Sequence, residues 1–389
     1  MLHSLKHLFS LDPEVAYLNC SYMSPLLRSV EAAGIEGLTG KRSPNRISVE
    51  DFFNPVLKLK KAFSTLIGEE NHERIAVIPS VSYGVAMAAH NIRLNKGEKI
   101  IISDQQFPSN VFEWQKLADR SEGRLIKISP PDSFEQRGQK WNERILEAID
   151  VQTKVVALPH FHWADGTRFD LNAIREKTLE VGALLIIDGT QSLGAYPFDV
   201  TQFRPDAVFA GGYKWLMGPY GMGLAWMGPW FDDKQPLEEN WINRAGSSDF
   251  SRLANYEPAY QPFARRYDMG EQSNFILVPM LTAGIEWLND IGTDFIQKYC
   301  EKLMEPAWEE LAAAGFWVES PAWRSRHLLG LFMPAGLDIN YLKAELERNK
   351  IYISVRGKSM RISPHVYNEP ENIDRLVQVI KDVSVKHRK

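Results

Sequence analysis

The chain has 389 residues, 44% hydrophobic and 24% charged, which is enough apolar material for two packed lobes and holds no low-complexity tract. A formal charge of −4 gives no electrostatic ground for a nucleic-acid or anionic-membrane partner. Two distant cysteines, Cys20 and Cys300, form no C-x-x-C or Cys/His cluster, which argues against a disulfide framework and a structural metal.

Residues 1–10 lack the apolar stretch of a secretion signal, and no later run reaches the ~20 residues that span a bilayer. A soluble cytoplasmic protein is the expectation. From residue 74 to 227, short apolar runs alternate with amphipathic segments. Strands are predicted at 74–78, 99–103, 124–128, 154–158, 184–188, 207–210 and 223–226. Helices are predicted between them at 81–92, 110–120, 141–149 and 171–181. This alternation predicts an α/β domain around a mainly parallel sheet, whose ligands bind beyond the carboxyl ends of the strands.

Residues 228–274 are rich in Pro, Asn, Ser and aromatics and are read as irregular excursions. Helical patterns follow at 275–291 and 295–314, then a strand at 328–334, a helix at 339–349, strands at 352–355 and 360–364, and a closing helix from 370. The expected organisation is a large domain over 16–270 and a smaller α+β domain over 271–389 joined by 1–15.

Lys214 ends an apolar run between glycine turns, and an ammonium that loses water there has its pKa lowered and becomes a nucleophile or base. Asp188 ends another apolar run; it is placed either to cap the next turn or to keep a ring nitrogen protonated. Ser80 or Ser82 caps the helix after 74–78, which leaves its free N–H groups to attract a phosphate. Phe107 precedes a Pro-initiated helix and has a face for a heteroaromatic ring. His160, His162 and Asp165 follow the strand at 154–158 without a metal-ligand spacing, and read as loop residues facing a ligand. Arg361 suits a substrate carboxylate, and Arg356 competes for that role. In this order the elements suit a pyridine ring bearing a phosphate. No G-x-G-x-x-G or G-x-x-x-x-G-K-[ST] loop supports nucleotide binding instead.

The ordered set resembles the fold-type I pyridoxal 5′-phosphate enzymes, specifically the class V aminotransferases, which include cysteine desulfurases, isopenicillin N epimerase-like proteins and kynureninases. The resemblance runs from Ala16-Tyr-Leu-Asn19 to the closing helix. It is carried most specifically by Asp188-Gly-Thr-Gln191, Gly212-Tyr-Lys-Trp215 with Gly218-Pro-Tyr-Gly-Met-Gly223, and Arg361-Ile-Ser-Pro-His-Val-Tyr-Asn368. It implies pyridoxal phosphate held as a Schiff base by Lys214, with Asp188 on the ring nitrogen, Gln191 on the phenolic oxygen and Phe107 stacked on the ring. It also implies Ser82 and Tyr213 on the phosphate, with Tyr83 and His162 among the cofactor-binding residues. Arg361 would take the α-carboxylate, with His162 and Trp163 facing the substrate. Homodimers are the rule in this group, and Trp241 and the Gly270-Glu-Gln-Ser-Asn274 segment are the candidates to reach a neighbouring site.

Four features bear on the reaction. Tyr213 stands where many members have histidine, and Phe107-Pro-Ser also resembles kynureninase. Residues 301–360 hold no cysteine for a desulfurase mechanism, and 239–244 does not resemble the kynureninase substrate loop. The expected activity is aminotransferase-like chemistry at or near Cα of an amino acid, followed in order by kynureninase-like or C–S lyase chemistry and epimerisation.

Overall fold

Alternate residues of the predicted strands go to opposite faces of one sheet. Val77, Ile101, Val156, Ile187 and Val208 are buried in one apolar cluster. Their neighbours Ala76, Ile100, Val155, Ile186 and Ala207 are buried in a second. Both faces are covered, which is why these strands read as continuous apolar runs. The structure is a computed structural model describing residues 3–357 and 359–387. Residues 1–2, 358 and 388–389, which the expected small domain includes, lie outside the described residues.

Among the described residues, a short strand β1 (Ala16–Tyr17) precedes β2 (Ile75–Ile78), β3 (Lys99–Ser103), β4 (Arg124–Ile128), β5 (Thr153–Pro159), β6 (Leu184–Asp188), β7 (Ala207–Gly211) and β8 (Gly223–Met227). The last seven form one sheet in the order β2-β8-β7-β6-β5-β3-β4. Pairs from β4 through β7 are parallel. β8 runs antiparallel to both of its neighbours, β2 and β7. The open edge at β2 is tied down by the irregular 228–274 segment. Asp268 accepts the Val77 N–H at 2.8 Å and holds the buried Lys60 ammonium at 2.6 Å.

Local chemistry sets the helices between the strands. Ser80 accepts the Tyr83 N–H to cap Val81–Asn91, and Asp170 accepts two N–H groups to cap Leu171–Val181. Two long helices were not foreseen, Arg28–Gly40 and Asn54–Leu66, and both pack on Leu277–Ile291. The first carries three glycines, which obscure a helical pattern. Gly37 is there for close approach: a Cβ would run into the Phe275 carbonyl.

Toward the C-terminus come β9 (Trp317–Val318), β10 (Leu329–Phe332), β11 (Ile351–Tyr352), β12 (Ser354–Arg356) and β13 (Ser359–Ile362). Four of them form an antiparallel sheet in the order β12-β13-β10-β9, while β11 pairs in parallel with β1. The helix expected over 295–314 is broken into Thr293–Met304 and Trp308–Ala313 around Pro306, which has no N–H to continue it. Residue 16, taken from the sequence as the start of the large domain, lies in a segment hydrogen-bonded to 351–352, and Asn19 bridges to Ser363.

Candidate active site

The strands β2, β3, β5, β6 and β7 deliver their following residues to one end of the sheet. A cavity of about 220 Å³ opens there, and its wall includes Ser82, Phe107, Trp163, Asp188, Tyr213 and Lys214. Gly194, at φ +93°, lets the turn after β6 press against the turn that carries Lys214, because any Cβ would strike the Trp215 carbonyl.

Lys214 is 7% exposed, and its ammonium makes no hydrogen bond or ion pair among the described residues. It lies 5.5 Å from the Phe107 ring centre and 5.3 Å from that of Tyr213. Burial, and after it the positive charge of Arg361, draws its pKa down to about 8 against the opposing pull of Asp188. Asp188 is buried on the same wall. Desolvation raises its pKa, while its bonds to Thr190 and the charge of Lys214 work the other way. Thr190 donates its N–H to Asp188 Oδ1 at 3.0 Å, an Asx-turn that aims the carboxylate. Thr190 was not singled out from the sequence, although Asp-Gly-Thr is a turn signal.

Phe107 and Trp163 meet edge to face at 5.3 Å, and the Trp163 indole N–H is pinned to the Gln105 carbonyl at 2.7 Å. Gln191 lines the cavity with its amide already engaged: Nε2 donates to Ser21 O at 3.2 Å, and Oε1 accepts from Trp215 at 2.8 Å. At the N-terminus of Val81–Asn91, the Ser80 and Ser82 hydroxyls lie 2.8 Å apart beside free helix N–H groups. Tyr213 packs against Tyr220, 70% exposed at the mouth, and its burial pushes the phenol up to about 12.

Arg361 reaches this region from β13. It is 1% exposed, its Nη1 donates to Trp163 O at 2.7 Å, and its Nε has no partner. Burial, then the charge of Arg356, lowers its pKa to about 9.

Four expected residues, His160, His162, Asp165 and Tyr83, do not line this cavity. His162 is buried behind the wall with both ring nitrogens engaged, by Asp165 Oδ1 and Gln105 O at 3.2 Å each. Asp165 also pairs with Arg137 at 2.9 Å, so this trio is a buried charge network. His160 stacks on Phe161 at 4.5 Å, apart from that network. The Tyr83 phenol lies beside Glu238, away from the cavity. Trp241 packs against Phe53 and Phe250, and Asn274 caps Leu277–Ile291 through the N–H groups of Ile276 and Leu277. Both, expected at the site of a neighbouring copy, line a surface groove of about 500 Å³ with Leu38, Lys41 and Phe275.

The aminotransferase class-V family matches residues 49–376 of this chain. An uncharacterized aminotransferase of Bacillus subtilis, YcbU, is 26% identical over 330 residues, 82% of each chain. The isopenicillin N epimerase of Streptomyces clavuligerus is 24% identical over 387 residues, 95% of each. In fold, the chain is similar to the apo cysteine desulfurase of Thermococcus onnurineus, with a TM-score of 0.83 and 19% identity over 99% of both chains.

Proposed function

This chain belongs to the aminotransferase class-V family, and from that membership we propose that it transfers the amino group of an amino acid using pyridoxal 5′-phosphate bound to Lys214. One observation carries the assignment of the site: a buried, unpaired lysine and a buried carboxylate share one cavity wall at the strand ends. The donor set fits the cofactor. Lys214 offers an amine of lowered pKa, Asp188 an anionic partner for a ring nitrogen, and Phe107 a flat apolar face. The N-terminus of Val81–Asn91, with Ser82 and the Tyr213 phenol, supplies donors for the phosphate.

When bound, the cofactor supplies an electron sink for the pair released at Cα. The protein residues do the rest. Asp188 keeps the ring nitrogen charged, Arg361 holds the substrate α-carboxylate, and Phe107 and Trp163 exclude water above Lys214. Lys214, as a free amine of lowered pKa, would take the Cα proton of the bound amino acid and move it. Delivery of that proton away from Cα gives transamination.

Two further parts of this reading are proposals. The large domain of 16–270 carries the cofactor and that of 271–389, with 1–15, contributes Arg361. The groove at Trp241 and Asn274 contacts a second copy of the chain, supported by exposed Leu38 and Trp241 beside it. A cytoplasmic location fits this activity, and no helix among the described residues is long and apolar enough to cross a membrane.

Borohydride reduction tests the assignment. The purified protein should show near-visible absorbance, and reduction should fix the chromophore to the peptide containing Lys214. The same fixation in Lys214→Ala would refute it. Stoichiometric keto acid from an amino-acid panel supports transamination, and ammonia, sulfide or anthranilate in its place points to the other reactions.

A further inference from the structure

Arg361 and Arg356 sit on one β-hairpin whose register puts them on the same face. Ser354 pairs with Arg361 and Arg356 with Ser359, so Arg356 lies two residues along from the partner of Arg361. Both guanidinium groups converge on one indole: Arg356 Cζ is 5.5 Å and Arg361 Cζ 5.9 Å from the Trp163 ring centre. Neither has a carboxylate partner among the described residues. Arg356 Nη1 donates to the Val355 carbonyl and Arg361 Nη1 to the Trp163 carbonyl, each at 2.7 Å. Both neighbour Lys214 closely enough to bear on its charge, and among the described residues Asp188 is the one carboxylate on the cavity wall.

Two partly desolvated guanidiniums beside a lysine form a costly arrangement unless anions enter between them. One α-carboxylate accounts for Arg361. The phosphate-binding end of the cavity, at Ser80–Ser82, belongs to different elements from the hairpin, so the cofactor does not account for Arg356. Nor is Trp163 a free apolar wall for an aromatic substrate, since two cations lie against its ring.

We propose that Arg356 recognises a second anionic group on the substrate side chain, so that the enzyme acts on acidic amino acids. This deepens the proposed function and rests on its assignment of the site. An arginine fork opposite a side-chain carboxylate gives discrimination, because a neutral substrate leaves the guanidinium desolvated and unpaired.

Amine-free acids test this without turnover. Glutarate and pentanoate are titrated into the holoenzyme and followed by calorimetry and by tryptophan fluorescence, to which Trp163 contributes. Glutarate should bind at least about tenfold more tightly than pentanoate, Arg356→Gln should erase that preference, Arg356→Lys should retain part of it, and Arg361→Gln should weaken both acids. Equal binding of the two acids by the unaltered enzyme overturns the proposal without any variant. So does a preference that survives Arg356→Gln, or an Arg356→Gln that weakens both acids equally, which would mean that Arg356 shares the α-carboxylate. Failure of the Lys214 assignment would instead appear in the borohydride experiment, with the glutarate preference still measurable.

Discussion

The backbone carbonyl of Trp163 accepts the Nη1–H of Arg361 at 2.7 Å, which joins the loop after β5 to a strand of the C-terminal sheet. An arginine from a distant part of the sequence is thereby fixed, buried, behind Trp163, which lines a cavity built by the large sheet. Lysine lacks the second arm of that fork. Arg361→Lys is therefore expected to keep the fold and lower kcat/KM by about 10- to 100-fold, from the loss of one charge-assisted bond. Steady-state kinetics against the preferred amino donor would measure it, and a change within twofold would remove Arg361 from the substrate site.

Lys214 should titrate about pH 8 in the apoprotein. It is charged and unreactive below that pH and free to attack an aldehyde above it, so the rate of reconstitution with pyridoxal phosphate should rise through pH 8 and then level. Burial is the main cause of the shift and the Arg361 charge the next. Arg361→Gln should move the midpoint up, and Asp188→Asn, which removes an opposing negative charge, should move it down. A midpoint near that of free lysine would contradict the buried, unpaired environment.

Asp188→Asn separates catalysis from stability. The asparagine oxygen can still accept the Thr190 N–H, so the turn should persist. Without the negative charge the ring nitrogen loses its proton-holding partner, and turnover should fall on the order of 10²-fold or more. Burial raises the Asp188 pKa, so the ionised form works against folding as pH rises through it. The apoprotein of Asp188→Asn should therefore melt no lower than the unaltered apoprotein at neutral pH. A marked fall would mean that Asp188 is chiefly a structural carboxylate.

Much of this site was legible because continuous apolar strands locate their own carboxyl ends, and Asp188, Phe107 and Lys214 follow from there. His162 was harder. Its spacing puts it on the correct loop, but whether its ring faces the cavity or Asp165 depends on Arg137, which arrives from a helix outside that loop. Trp241 and Asn274 have local partners that sequence spacing does not reveal, an aromatic cluster and a helix cap. The hairpin that sets Arg356 and Arg361 on one face was blurred because strands this short carry little period. Arg28–Gly40 escaped notice because Gly34 and Gly37 serve close packing and not helix propensity.

The His162–Asp165–Arg137 network should carry stability. Burial opposes the Asp165 charge, but His162 and then Arg137 overcome it and hold the pKa below the usual carboxylate range. That stabilisation is present above the unfolded carboxylate pKa and lost as pH falls through it toward the folded value. Asp165→Asn leaves Arg137 buried without its counter-charge and should cost about 3–5 kcal/mol, read as a lower denaturant midpoint at pH 7. Its deficit should shrink in acid. A variant as stable as the parent at neutral pH would show that solvent reaches the pair.

Thiol chemistry gives the last prediction. Cys20 and Cys300 are both fully buried, and desolvation pushes both thiols far above their ordinary pKa. Cys300 donates to the Pro364 carbonyl at 3.4 Å from within Thr293–Met304, so it is not on a loop facing the cavity. A nucleophilic persulfide carrier needs an accessible thiolate, and neither residue supplies one. Iodoacetamide on the native holoenzyme should leave turnover of its amino-acid substrate unchanged, and Cys20→Ala and Cys300→Ala should each retain any sulfide release from cysteine. Rapid inactivation with stoichiometric alkylation of either cysteine would restore the desulfurase route, and would require a motion that opens the protein around that thiol.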